Sequence, residues 1–295
     1  MKKALLDIPV VFIIFNRPEL TKKTFNEIAK ARPKTLLVIA DGPRINKPED
    51  VNLCAATREI IEHIDWECSL LTNYSDKNMG CGRRISTGLS WAFDHVEEAI
   101  ILEDDCLPHP DFFHFCRDLL DKYRNNPKIM MISGTNILGD WNPAAQSYHY
   151  SYYGSIWGWA TWRRAWSAYD FSMKQWVDPD VKQQIKDLLN DAEQFEQRDE
   201  IFSKMCGPNA IDTWDTQWTF ARLYRAGLAV VPSVNLISNH GFSEQATHTK
   251  EFIAELARLP TYPLSPPLTA PAKMEADREF DRRLFSRAGS AVSVG

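Results

Sequence analysis

Four times within the first 125 residues, a short apolar run rich in β-branched side chains gives way to a longer stretch whose apolar positions recur at helical spacing. Few architectures accept that order. "VVFIIF" (residues 10–15) is continuously apolar rather than alternating, as expected of a strand covered on both faces. It stops at Asn16-Arg17-Pro18, and "PELTKKTFNEIAKAR" follows with Leu20, Phe25 and Ile28 along a helical face and Pro18 near the start, where its missing N–H is tolerated. "TLLVIA" (residues 35–40) predicts a second strand, residues 51–64 a helix, and "CSLLTNY" (residues 68–74) a third strand. "GRRISTGLSWAFDHV" reads as a helix entered through the glycines of "NMGCG", "AIILEDD" as a fourth strand and "DFFHFCRDLLDKYRNN" as a fourth helix. This βαβαβαβ order implies an α/β chain with a mostly parallel sheet and helices on both faces.

In open parallel sheets, ligands bind beyond the carboxyl ends of the strands. Asn16-Arg17, Asp41 and Glu103-Asp104-Asp105 all fall at such ends, so three polar clusters far apart in sequence are expected to converge on one crevice. Adjacent carboxylates suit hard divalent cations such as Mg²⁺ or Mn²⁺, which take oxygen ligands, and Mg²⁺ is usually held by one or two carboxylates together with substrate phosphates. A bare acidic triplet is also what a solvated strand end capping the next helix looks like. The buried strand before it and the company of Asp41 and Arg17 favour the ligand site.

Composition limits the partners. The chain has 295 residues, is 44% hydrophobic and carries a formal net charge of -5, an ordinary globular composition with no electrostatic footprint for nucleic acid. The apolar part of "MKKALLDIPVVFIIFNRPE" is too short to span a bilayer and is interrupted by Asp7 and Pro9, so neither signal peptide nor anchor is read there. Six scattered cysteines without CxxC spacing read as reduced thiols of a cytoplasmic protein.

The second half changes character. Trp157, Trp159, Trp162 and Trp166 crowd into "YHYSYYGSIWGWATWRRAW", where such density most often means core. A charged stretch (residues 180–205) reads as one helix or a pair with a solvated face. "AIDTWDTQWTFARLYRAG" places Trp214 and Trp218 one helical turn apart with Asp215 directly after Trp214, and "LAVVPSVNLISNHGFSEQATHT" gives a strand and a polar loop. Past Leu259 a Pro-rich segment leads into a short amphipathic helix that has three options: docking on the body, pairing with another subunit, or touching a membrane surface.

The blocks "FIIFNRP", "IADG", "EDDCLPHPDFFHF", "MISGTN", "GSIWGWATWRRAW", "TWDTQW" and "HGFSEQA" resemble, in this order from about Pro9 to His248, the nucleotide-sugar-dependent glycosyltransferases of the GT-A fold. More specifically, the blocks resemble those related to N-acetylglucosaminyltransferase I and their bacterial family-2-like relatives. It implies a Rossmann-like nucleotide-binding half (residues 1–135), a donor-sugar and acceptor half (136–258) and a C-terminal extension (259–295). On the matching positions, Asn16 and Arg17 contact the nucleotide, Asp41 reads the uracil or ribose edge, Asp104 the ribose, and Glu103 orients its neighbours. Asp105 becomes the single direct protein ligand of Mn²⁺ or Mg²⁺, with His240 a further candidate ligand. Asn78, Gly80, Gly82, Arg83 and Arg84 support the nucleotide side, with free amides at the helix start favouring anions. Gly241 and Ser243 touch the donor phosphates; Trp157, Gly158, Trp159 and Trp214 form the donor-sugar and acceptor pocket. Asp215 takes the acceptor proton, with Asp212 in reserve.

The activity so implied is inverting transfer of a hexosyl or N-acetylhexosaminyl group from a UDP-sugar to a saccharide or glycolipid acceptor. The implied setting is bacterial surface polysaccharide synthesis, in the cytoplasm or at the inner face of the membrane. Two other classes share parts of this pattern. A sugar nucleotidyltransferase would carry a Gly-rich, Arg-containing loop right after the first strand, and "FNRPELTKKT" has no glycine. A non-catalytic nucleotide-sugar-binding relative would not need both Asp105 and Asp215.

Overall fold

The computed structural model describes residues 1–141, 145–208, 210–241, 258–264 and 266–288. Its first half follows the alternation: β1 (Val10–Ile14), α1 (Pro18–Ala31), β2 (Thr35–Ala40), α2 (Glu49–Glu59), β3 (Ser69–Tyr74), α3 (Cys81–His95) and β4 (Glu98–Glu103). A short strand that the apolar pattern does not announce, β5 (Cys106–Pro108), comes before α4 (Asp111–Tyr123). β1 pairs in parallel with both β2 and β4, and β2 in parallel with β3. The sheet continues through β6 (Ile129–Ser133), β7 (Tyr148–Ser151), β8 (Trp159–Trp162) and β9 (Leu228–Pro232), in the order β3-β2-β1-β4-β8-β6-β9-β7. β8 runs antiparallel to β4 and β6, and β7 antiparallel to β9, so a parallel half is fused to a mixed one in a single sheet.

The continuous apolar runs are explained by two-sided burial. Val10, Phe12, Leu36, Val38, Ile100 and Leu102 face one layer, against Phe25 and Ile28 of α1 and Phe112 and Leu119 of α4. Their neighbours Val11, Ile13, Leu37, Ile39, Ala99 and Ile101 face the other layer, against Ile85, Leu89 and Phe93 of α3. Because successive side chains on a strand point to opposite faces, each run must be apolar at every position.

The charged stretch becomes two helices, α6 (Pro179–Leu189) and α7 (Ala192–Met205), following the short α5 (Arg163–Trp166). Asn190 separates them with φ 48°, and Asp178 and Asp191 cap their starts by accepting from the amides of Asp180 and Gln194. Both pack on α8 (Asp215–Tyr224) around Trp176, Phe202 and Phe220. The C-terminal extension takes the first of its three options. Ala276 bridges to Tyr150 of β7, Trp141 Nε1 donates to Asp277 at 2.7 Å, and α9 (Arg278–Ala288) buries Phe280 and Leu284 on the body. Among the described residues no helix is long and apolar enough to cross a membrane, and all six cysteines are unpaired.

Candidate functional site

Strands are added on one side of β1 by β2 and β3 and on the other by β4, so the chain's winding reverses between β1 and β4. A crevice opens beyond the carboxyl ends of strands at such a point. Arg17 follows β1, Glu103-Asp104-Asp105 ends β4, and the two meet. Arg17 Nη1 donates to Asp105 Oδ2 at 2.8 Å and lies 3.6 Å from Asp104 Oδ1. The Asp104 backbone carbonyl accepts from Thr24 Oγ1 at 2.9 Å, tying the acidic turn to α1.

A third segment arrives from more than 130 residues away. β10 (Ile237–Asn239) pairs antiparallel with β5, the His240 amide donates to the Asp105 carbonyl at 2.8 Å, and the Gly241 amide donates to Asn239 Oδ1 at 2.7 Å. Gly241 is pressed so closely on the Asp105 carboxylate that a Cβ there would sit 2.0 Å from Oδ2. His240 shares a small cleft with Asp104, Asp105, Lys23 and Thr24. Loss of solvation, then Arg258 and Lys23, lowers its imidazole pKa, against the pull of Asp105. Ser243 lies outside the described residues.

The candidate base enters from the second half. Asp215 is the first residue of α8, and its Oδ1 accepts from the Thr213 hydroxyl and from the Thr216 amide, the latter at 2.9 Å. Burial first, then Asp105, Asp104 and Asp215, raises the Glu103 carboxyl far above the usual carboxylate range. Burial and then Asp105 also raise Asp104, with Arg17 opposing. The Cys81 thiol at the start of α3 is pushed up to about 12, by lost solvation and then by Glu103, Asp212, Asp215 and Asp41. These shared electrostatic neighbours place the ends of β2 and β4 and the start of α8 around one point.

Several expected ligand contacts are instead braces. Asp41 accepts from the amides of Gly42 and Met79 and from Asn78 Nδ2, all at 2.9 Å for the shortest contact. Its two oxygens are thereby engaged in stapling the loop after β3 to the end of β2 rather than presented to a nucleobase, although burial raises its pKa against those hydrogen bonds. Buried Arg84 donates to the carbonyl and the side chain of Asn73 at 2.7 and 2.6 Å, so it points back onto the end of β3. Asn16 donates to Asp50 Oδ1 at 2.8 Å. The helix start at Gly80 to Gly82 is no open anion site either, since the Gly82 amide donates to Asp212 Oδ1 at 2.9 Å. Asp212 is therefore a clamp, and a Cβ on Gly80 or Gly82 would strike it.

Trp159 and Trp214 are also corrected. Their rings are buried and stacked at a centroid distance of 5.6 Å, with Trp166 and Trp218 around them, leaving no face for a sugar. Trp157 is only partly buried, and Gly158 beyond it has φ +61° and lies against Ile237, the first residue of β10, and Leu102, which precedes Glu103. A side chain at Gly158 would have no room there. Of the expected pocket tryptophans, Trp157 is the one that is not fully buried.

Sequence reading missed the Asp50 brace. Asp50 is fully buried, accepts from Arg44 Nε at 2.6 Å and Nη2 at 3.0 Å, and is held well below the usual carboxylate range, first by that arginine. Arg44 also lies over the Phe15 ring at 5.5 Å. Nothing in the spacing of Asn16, Arg44 and Asp50 signals the network, because it depends on how the loop after β2 folds back.

The crevice offers oxygen donors that suit a hard divalent cation. Among the described residues no three His, Cys, Asp or Glu side chains are arranged to hold an ion together. A cation at Asp105 would therefore share its coordination with oxygens of a bound ligand, and the donor set fits that arrangement.

Fold and site together define a doubly wound α/β protein with an acidic crevice at its strand-order reversal. No family model matches the chain, and no curated protein matches it. Among solved structures it is similar to a UDP-glucose pyrophosphorylase complexed with UDP-glucose, at 12% identity and a TM-score of 0.38, over 78% of this chain and 92% of that one. The fold described above rests on the sheet order and not on that similarity.

Proposed function

We propose that the protein is an inverting glycosyltransferase that takes a sugar from a UDP-sugar and delivers it to a hydroxyl of a saccharide or glycolipid acceptor, with Mn²⁺ or Mg²⁺ as cofactor. The observation that carries this reading is the meeting of Arg17, Asp105 and Gly241, from three distant segments, at the point where the strand order reverses. In it, Arg17 and the Gly241 backbone face the diphosphate, and Asp105 holds the cation. When bound, that cation supplies Lewis-acid stabilisation of the charge growing on the departing phosphate oxygen, worth several kcal/mol.

The chain's own residues supply the rest. Both described hydrogen bonds to Asp215 fall on Oδ1, leaving Oδ2 to take the proton of the attacking hydroxyl. Asp212 holds the loop before α8 against the start of α3 and so fixes where Asp215 stands. Trp157 offers a ring to the apolar face of a sugar, and Asp104 a carboxyl to the ribose. The choice of uridine and of a polysaccharide pathway comes from the family resemblance, since Asp41 is a brace.

Calorimetric titration with UDP-, GDP- and TDP-sugars, each with and without Mn²⁺, tests the donor. Cation-dependent binding of a UDP-sugar is expected; no binding of any of them overturns the proposal. Incubation of the bound donor with candidate acceptors then separates sugar transfer from pyrophosphate-dependent nucleotide exchange, the signature of a nucleotidyltransferase. NMR of the product completes the test: an α-linked donor yields a β-glycoside under this mechanism, and retention refutes it.

A further inference from the structure

Asp105 Oδ2, the oxygen a cation would need, already has a cation on it. Arg17 Nη1 donates to it at 2.8 Å while the Gly241 backbone presses closely on the same oxygen. The remaining oxygen, Oδ1, is the one approached by the Cys106 thiol. Among the described residues, every ion pair made by Asp104 or Asp105 is made with Arg17. We infer that Arg17 is the site's internal counter-cation, which must leave Asp105 before a divalent cation can bind, and that the diphosphate of an incoming nucleotide supplies the anion to which it moves.

Four features make the exchange physically consistent. Glu103, Asp104 and Asp105 crowd one strand end, and among the described residues Arg17 is the basic side chain that pairs with its carboxylates. A guanidinium and a divalent cation on one carboxylate oxygen would repel at close range, so the two occupy it alternately. The Arg17 side chain is 47% exposed and sits at the start of α1, outside the buried core, so it turns without disturbing the fold. Guanidinium forms bidentate contacts with phosphate as readily as with carboxylate, so the move replaces one charge-assisted pair by another. The nucleotide is thereby the key to the cation site: tight cation binding waits for a diphosphate.

The part of this inference that concerns the nucleotide rests on the proposed function; the competition at Asp105 does not. Binding of Mn²⁺ to the full chain, followed by the electron paramagnetic resonance signal of the free ion, tests both. The wild type, Arg17→Gln, Arg17→Lys and the double variant Arg17→Gln/Asp105→Asn are each titrated without nucleotide and with UDP. Without UDP, Arg17→Gln should bind Mn²⁺ at least ten-fold more tightly than the wild type, Arg17→Lys should resemble the wild type, and the double variant should lose the gain. With UDP, the wild type should tighten far more than Arg17→Gln. Equal or weaker Mn²⁺ binding by Arg17→Gln in the absence of UDP overturns the inference, as does a gain that survives loss of the Asp105 carboxylate. If UDP fails to alter Mn²⁺ binding while the competition is present, the nucleotide-sugar reading fails instead, and Asp105 remains a cation site guarded by Arg17.

Discussion

Replacing Asp281 by Asn should make the protein's stability less dependent on pH. Asp281 lies on α9, is almost completely buried, and accepts hydrogen bonds from the Ser151 hydroxyl and, at 3.3 Å, from the Tyr152 amide. Burial pushes its carboxyl from an ordinary value of 3.8 up to about 7, against the pull of those hydrogen bonds and of Arg278. Between the two values the folded chain keeps a proton that the unfolded chain has released. Stability contributed by this group is therefore complete below pH 4 and is lost as the pH rises toward 7. At about 1.4 kcal/mol for each tenfold change in proton affinity, the full loss is on the order of 4 kcal/mol. Asparagine cannot ionise; its single carbonyl oxygen can accept from the Tyr152 amide while its Nδ2 donates to the Ser151 hydroxyl. The advantage of Asp281→Asn over the wild type should therefore be smallest at pH 4 and largest at pH 8. Urea unfolding of both proteins at the two pH values measures the difference. Parallel pH profiles would refute the reasoning and mean that Asp281 is ionised in the folded chain, with fully buried Arg222 as its counter-charge.

Asp212→Ala should remove the cap on α3 and cost about 1 kcal/mol, read as a lower urea midpoint; an unchanged midpoint would leave the clamp without weight. Gly241→Ala drives a methyl into the Asp105 carboxylate and should abolish cation-dependent UDP binding in calorimetry with little change in melting temperature. Asp215→Asn should reduce turnover by about 10² to 10⁴-fold while donor affinity holds. A drop in stability with turnover nearly intact would make Asp215 a structural acid.

Much of the parallel half was legible in the residues themselves. Two-sided burial leaves continuous apolar runs, and those runs end where the sheet opens, so Arg17 and Glu103-Asp104-Asp105 could be assigned to one crevice before any contact was known. Short strands carry too little pattern: β5 has three residues and β10 three, and their pairing is what brings His240 and Gly241 to Asp105. The density of tryptophan after residue 156 signalled a core, yet not which ring would remain at its edge. That is set by α8 packing its Trp214 and Trp218 onto Trp159 and Trp166, which leaves Trp157 partly exposed.

The sequence by itself determined the α/β order, the strand ends where polar groups gather, and the oxygen-rich chemistry of the acidic turn, because these follow from local periodicity and side-chain type. Only the tertiary structure decided what each of those polar groups does. A carboxylate at a strand end looks the same in the chain whether it meets a ligand or a loop: Asp41 is stapled to Met79 and Asn78, Asp50 to Arg44, and Asp212 to Gly82, while Asp105 is met by an arginine at the edge of solvent. The physical reason is that a buried acceptor must be satisfied by whichever donor the fold brings near, and those donors come from loops 6 to 130 residues away. Their return paths leave no trace in local pattern.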